Sequence, residues 1–364
     1  MVWLDPLHRR LAELVAIDTQ NPMGDEHPLA AKLASDIRRV GASVVETFAF
    51  GRHHAVFASF GPSPRILVNV HIDTVPANSG YTRPPLELAE RDGRLYGLGA
   101  ADTKGAIAAV IEALHRRSQA GRPVQGVAVL FSGDEERGNT VLRAFLETGR
   151  ARGLERAIVC EPTGCRVGVR HRGIGAARGT VTSAGGHSSR ADSLVAPVVV
   201  LSRAAVALDA WGRRHRRAGP PRFEGLCLNV AAIDGGVAFN VVPSRASLTV
   251  SFRPWPGADV VSLHRDAEAV ARTAAAPDPI AWEVMLANPA FATRDLASFA
   301  SFLGNRTADP VDLQFWTEAA LLSEAGIDAV VFGPGDIAQA HGADEFVEAR
   351  QLAAACDALV HGLP

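Results

Sequence analysis

His71, Asp102, Glu136, Glu161 and His341 stand in the strings VHIDTVP, GLGAADTKG, SGDEERGN, CEPTG and GPGDIAQAH, each beside a Gly-rich turn or at the end of an apolar run. Two imidazoles and three carboxylates form a donor set for two metal ions, with two ligands for each ion and one carboxylate shared. Mixed nitrogen and oxygen donors suit Zn, Co or Mn better than Mg or Ca, which prefer all-oxygen shells. Two such ions, roughly 3.5–4 Å apart, polarise a carbonyl and lower the pKa of water. A carboxylate outside the ligand set must then take a proton and return it to the leaving amine. Glu135, adjacent to Glu136, is placed for that role. Asp73 lies two residues after His71, on the same side of an extended chain, and is placed to brace it.

Each residue also has an ordinary structural reading. His71 could be a core histidine, Asp102 a helix cap, Asp134-Glu135-Glu136 a solvated acidic turn, Glu161 a loop start and His341 a surface loop residue. Five such coincidences, all at strand ends or glycine turns, are improbable together. A metal-dependent hydrolase is therefore the expected class.

The elements around these residues repeat one arrangement. Apolar runs at 65–70, 127–131, 157–160 and 330–332 read as buried strands, each followed by a candidate residue. Open α/β sheets place their sites just past the C-terminal ends of strands. Helical periodicity covers 7–17, 29–40 and 106–119. The expected fold is α/β, with a mostly parallel sheet flanked by helices. The middle of the chain differs. Strand patterns at 179–182, 226–233 and 246–252 alternate with long helices at 197–214 and 259–274, and His187 alone recommends itself as chemistry. This reads as an inserted α+β domain at 172–276, which divides the catalytic domain into two segments, 1–171 and 277–364.

Composition narrows the class further. The 364 residues carry a net charge of −2 and are 47% hydrophobic and 21% charged, which argues against a nucleic-acid or membrane-surface partner. The run Arg213-Arg214-His215-Arg216-Arg217 reads as a solvated helix end. No apolar stretch is long enough for a bilayer span. The first residues lack the basic start and apolar run of a leader, and Cys160, Cys165, Cys227 and Cys356 suggest neither a disulfide framework nor a paired-cysteine zinc site. A reduced, cytoplasmic protein is expected.

Over essentially its whole length the chain resembles the M20 family of metallo-aminoacylases and peptidases, most nearly its acetylornithine and N-acetylcitrulline deacetylase branch. The strings that carry this are GLGAADTKGA, RFEGLCLNVAAIDGGVAFNVVP, SFRPWPGAD, FWTEAALLSEAG and GPGDIAQAHGADEFV. The resemblance implies two divalent metals, zinc foremost, with His71 and Glu161 on one ion, Glu136 and His341 on the other, and Asp102 bridging. It implies Glu135 as base then acid, Asp73 as the orienter of His71, and a cis peptide after Asp102. It makes the insertion a dimerisation lid, in which His187 reaches the partner subunit's site and stabilises the oxyanion, while Asn240 and Arg253 hold the α-carboxylate of a small N-acyl amino acid. Glu318 would meet a substrate ammonium or brace a ligand loop. Leu98, Thr103 and Gly342 depart from the commoner family pattern without removing a ligand. The implied activity is removal of acetyl from ornithine or citrulline in arginine biosynthesis. A desuccinylase or dipeptidase, or a silent metal-binding homologue, are the alternatives.

Overall fold

A computed structural model describes residues 5–364 of the chain; the first four, on which the expectation of no leader bears, lie outside the described residues. The chain divides into two units, one built from 1–169 and 293–364 and the other from 170–292.

The first unit is organised by four parallel strands in the order Val127–Ser132, Ile66–His71, Arg156–Val159 and Asp328–Val331. These runs are buried on both faces, which is why they read as continuous apolar stretches instead of alternating ones. An antiparallel hairpin, Val44–Phe50 with His53–Phe60, extends the sheet beyond Val127–Ser132. Helix Lys104–Gln119 is buried over 104–114 and packs between Pro6–Val15 and Ala349–Gly362. A small antiparallel ladder joins Phe346–Glu348 to Arg94–Tyr96.

The second unit is a four-stranded antiparallel sheet in the order Asn229–Gly235, Arg245–Phe252, Ile174–Thr182 and Ala281–Asn288. Helices Pro197–Arg214 and Val260–Ala275 bury Leu201, Leu208, Leu263 and Ala267 in its core. The unit thus ends at 292 and not at the 276 read from the sequence, because Ala281–Asn288 pairs with Ile174–Thr182.

All four cysteines are free. Among the described residues no helix is long and apolar enough to cross a membrane.

Candidate metal centre

The strand Ile66–His71 is buried throughout and ends on His71. Nδ1 of His71 lies 2.9 Å from the carbonyl of Asp73. A carbonyl can only accept, so Nδ1 carries the proton. Nε2 then faces Oδ1 of Asp102 at 2.9 Å and Oε2 of Glu161 at 3.9 Å. Asp73 therefore orients His71 through its backbone; its carboxylate stands 3.6 Å from the same ring nitrogen. That carboxylate is engaged elsewhere, accepting from the N–H groups of Glu135 at 3.0 Å and Glu136 at 3.2 Å.

Asp102 closes the Gly-Leu-Gly-Ala-Ala loop and precedes helix Lys104–Gln119. Gly99 in that loop has φ +78°, and a Cβ there would come within 2.8 Å of Thr74. The Asp102–Thr103 peptide is cis, and the Thr103 hydroxyl donates to the His71 carbonyl at 2.8 Å. The second oxygen of Asp102, Oδ2, lies 3.4 Å from Nε2 of His341. The same nitrogen lies 3.0 Å from Oε2 of Glu136. Asp102 thus offers one oxygen to each imidazole, as a shared ligand must. Glu161 follows the strand Arg156–Val159 and is buried. His341 is half exposed, with its backbone at φ 60°.

The ligand atoms of His71, Asp102 and Glu136 all lie within 4.8 Å of one another. Burial raises the pKa of Glu161 and of Glu135 well above the ordinary carboxylate value, and the neighbouring carboxylates add to this. Burial and Asp102 likewise raise Glu136. For Asp102 the imidazoles of His341 and His71 outweigh burial and hold the pKa below the usual range. His341, beside Asp102 and then Glu136, rises to about 10. Burial opposes charge on His71, but Glu161, Asp102 and Asp73 prevail and raise it. The cluster therefore holds an excess of negative charge, and each Nε2 points its lone pair at carboxylate oxygens unless a cation or a proton intervenes. That donor chemistry fits divalent metal, which binds by displacing those protons.

A family model described as peptidase family M20/M25/M40 matches residues 67–363, most of the chain and all of this cluster. The chain belongs to that family. It is accordingly a metal-dependent hydrolase of amide bonds. It is 34% identical to N-acetyl-L-citrulline deacetylase from Xanthomonas campestris pv. campestris, over 94% of this chain and 93% of that protein. It is 33% identical to acetylornithine deacetylase from Myxococcus xanthus, over 80% of this chain and 77% of the relative. Among solved structures, an M20 family metallo-carboxypeptidase from Sulfolobus solfataricus superposes with a TM-score of 0.82 at 16% identity, covering 99% of each chain. A dinuclear metal-binding M20 peptidase from Bacillus subtilis gives 0.70 at 15% identity, covering 98% of this chain and 96% of its own. These structural likenesses establish the α/β fold.

The M20 unit holding the centre also holds Glu318, but that side chain is buried at 1% exposure. Ser132 Oγ donates to its Oε2 at 2.6 Å, and Asn69 Nδ2 donates to Ser132 Oγ at 3.0 Å. Burial pushes its pKa up to about 7. His187, Asn240 and Arg253 belong to the second unit. There the ladder of Gly186–His187 with Val241–Val242 brings His187 beside Asn240, whose carbonyl accepts from Ser188 N–H at 3.0 Å. Nδ1 of His187 accepts from the N–H of Ser189 at 3.2 Å, so in the neutral ring the proton sits on Nε2. Arg253 is exposed, its N–H donating to Leu226 and its carbonyl accepting from Arg172.

Two residues that hydrogen-bond to the segments carrying these side chains do not stand out in the sequence. Asn21 donates from Nδ2 to Asp73 and to Asp134, at 3.0 Å each. Glu345 accepts from the loop that carries Asp102. Neither lies in a periodic apolar pattern, and each acts on residues far away in sequence.

Proposed function

We propose that this chain is a di-metal amidohydrolase that removes the acetyl group from the α-nitrogen of N-acetyl-L-ornithine or N-acetyl-L-citrulline, a step of arginine biosynthesis. The observation that carries the reading is Asp102, with one oxygen toward His71 and the other toward His341, Glu136 and Glu161 alongside, and Glu135 next to them. The 34% identity to N-acetyl-L-citrulline deacetylase supports the acyl group and the amino-acid class.

His71 and Glu161 would hold one ion and His341 and Glu136 the other, with Asp102 shared. Bound divalent ions supply Lewis acidity toward the amide carbonyl and lower the pKa of water. The rest falls to the chain. Glu135 lies outside the ligand set and next to Glu136, where a carboxylate can act as general base. It takes a proton from the attacking water and passes it to the departing amine. Asp73 fixes the backbone of the turn that aims it. His187, with its proton on Nε2, is suited to donate to the developing oxyanion. Asn240 and Arg253 are suited to the substrate carboxylate, Arg by a two-point contact. For Glu318, burial against Ser132 favours the bracing role over contact with a substrate ammonium.

The second unit would pair with that of another copy. Val199 and Val206, seven residues apart on one helix, are 55% and 71% exposed, and Phe239 is fully exposed. A second copy would cover apolar side chains exposed to this degree. In such a dimer His187 would serve the partner's centre.

The test is amine release by the purified protein after chelation and restoration of Zn or Co. Cleavage of N-acetylornithine or N-acetylcitrulline supports the reading, and preference between them assigns the substrate. Cleavage only of N-succinyl substrates or dipeptides would move the chain to the desuccinylase or dipeptidase alternative. Hydrolysis of none, with metal restored, would leave the silent homologue.

A further inference from the structure

Glu345 is a buried carboxylate, 2% exposed, that belongs neither to the proposed ligand set nor to the proposed proton transfer. Its Oε1 accepts from the backbone N–H groups of Ala101 and Asp102, both at 2.9 Å, and its Oε2 from that of Gly99 at 2.8 Å. Its own carbonyl accepts from Gly97 N–H at 2.9 Å. Immediately beyond it, Phe346–Glu348 is paired in register with Arg94–Tyr96. The ladder therefore runs out at Tyr96, and the Glu345 side chain continues the pairing as far as Asp102. His341 stands four residues before it. The turn between them is fastened separately: Asn78 donates to the His341 carbonyl at 3.2 Å, and the Asp344 carboxylate accepts from Thr82 N–H at 2.8 Å and Oγ1 at 2.6 Å.

We propose that Glu345 is a positioning residue of the metal centre, whose carboxylate fixes the backbone behind Asp102 and thereby sets Asp102 against His341. The inference rests on the reading of Asp102 and His341 as metal ligands. A loop with glycine at 97 and 99 has few backbone constraints of its own, and its buried N–H groups require acceptors. Three of them converge on this one side chain. A carboxylate meets all three because both of its oxygens accept. An amide of the same shape turns an NH2 toward one of the donors and loses that contact. Burial and the neighbouring Asp102 raise the pKa of Glu345 to about 7, and the N–H groups of Gly99, Asp102 and Ala101 oppose that rise by favouring its charged form.

The experiment compares wild type, Glu345→Gln and Glu345→Ala by zinc affinity in chelator competition, by the visible spectrum of the cobalt-loaded protein, and by the Tm of the metal-free protein. Zinc affinity is expected to fall about 10- to 100-fold in Glu345→Ala and less in Glu345→Gln, with a changed cobalt spectrum. Where Glu345→Ala does not fold, Glu345→Gln keeps the shape and carries the test. A lowered Tm with wild-type affinity and an unchanged cobalt spectrum would show that Glu345 stabilises only the fold, and would overturn the inference. Wild-type protein that takes up no metal would instead overturn the ligand reading beneath it.

Discussion

Asp73 and Glu135 are joined by a hydrogen bond from the Glu135 N–H to Asp73 Oδ1 at 3.0 Å. This bond ties the residue that follows His71 by two to the turn that carries the candidate base. The neighbouring bonds make it part of a longer tether. Asp73 Oδ2 accepts from the Glu136 N–H and from Asn21, and Asn21 reaches on to Asp134, the residue before Glu135. Asp134 in turn accepts from the N–H and hydroxyl of Thr140. The turn is tight: Asp134 has φ 59°, and a Cβ at Gly133 would fall 1.9 Å from the Glu26 carboxylate. These bonds hold the backbone between Glu135, the proposed base, and Glu136, a proposed ligand.

Asn21→Ala removes both of its hydrogen bonds while leaving every proposed ligand in place. We expect kcat to fall about 10- to 100-fold, the usual scale for loss of an orienting partner, with KM and metal content near wild type. Steady-state kinetics with metal analysis of the same samples checks this. A wild-type kcat would mean that the Asp73 bonds alone hold the turn.

Glu135→Gln keeps the shape of the side chain and removes its capacity to accept a proton. The expected loss in kcat is about 10²- to 10⁴-fold, the range for a positioned general base, with two metals still bound per subunit. Elemental analysis and turnover of the acetylated substrate are the readouts. Unchanged turnover would exclude Glu135 as the base.

If His187 serves the partner's centre, two inactive variants complement each other. Mixing His187→Ala with Glu135→Ala and re-dimerising yields mixed dimers in which one site has both residues intact. With random pairing half of the dimers are mixed, so about a quarter of wild-type activity should return. Recovery that fails to rise on re-dimerisation would place His187 in the service of its own subunit or outside catalysis.

How much of this was legible in the sequence follows from what each residue answers to. His71, Glu136 and Glu161 could be picked out as candidates because His71 ends a buried strand and the other two follow one, and such strands announce themselves as apolar runs. Helix Lys104–Gln119 was visible for the same reason, although it starts two residues before the expected 106 because Lys104 and Gly105 are themselves buried. The end of the second unit was not visible. Ala281–Asn288 belongs there by pairing with Ile174–Thr182, about a hundred residues earlier, and no local pattern encodes that partner. Asn21 and Glu345 escape notice on similar grounds, since a buried polar tether is defined by the donors it meets and those lie on other loops. Asp73 is legible as a brace but not in its means, because its backbone carbonyl and its carboxylate do separate work.

The second unit contains a histidine whose titration makes a separate prediction. His171 is fully buried, its Nδ1–H donates to the Arg172 carbonyl at 2.9 Å, and its ring lies 5.1 Å from that of Phe291. Burial lowers its pKa from 6.5 to about 4, and the carbonyl offsets only part of that. Between these two values the unfolded chain binds a proton that the folded chain refuses. Stability from this group is complete above about pH 6.5, is lost as pH falls toward about 4, and changes no further below that, a span of about 3 kcal/mol. His171→Phe fills the same space beside Phe291 and does not titrate. In urea unfolding of metal-free protein, wild type should lose about 2 kcal/mol relative to this variant between pH 7 and pH 5. Parallel pH dependence of the two proteins would show that His171 is protonated in the folded state as readily as in the unfolded one.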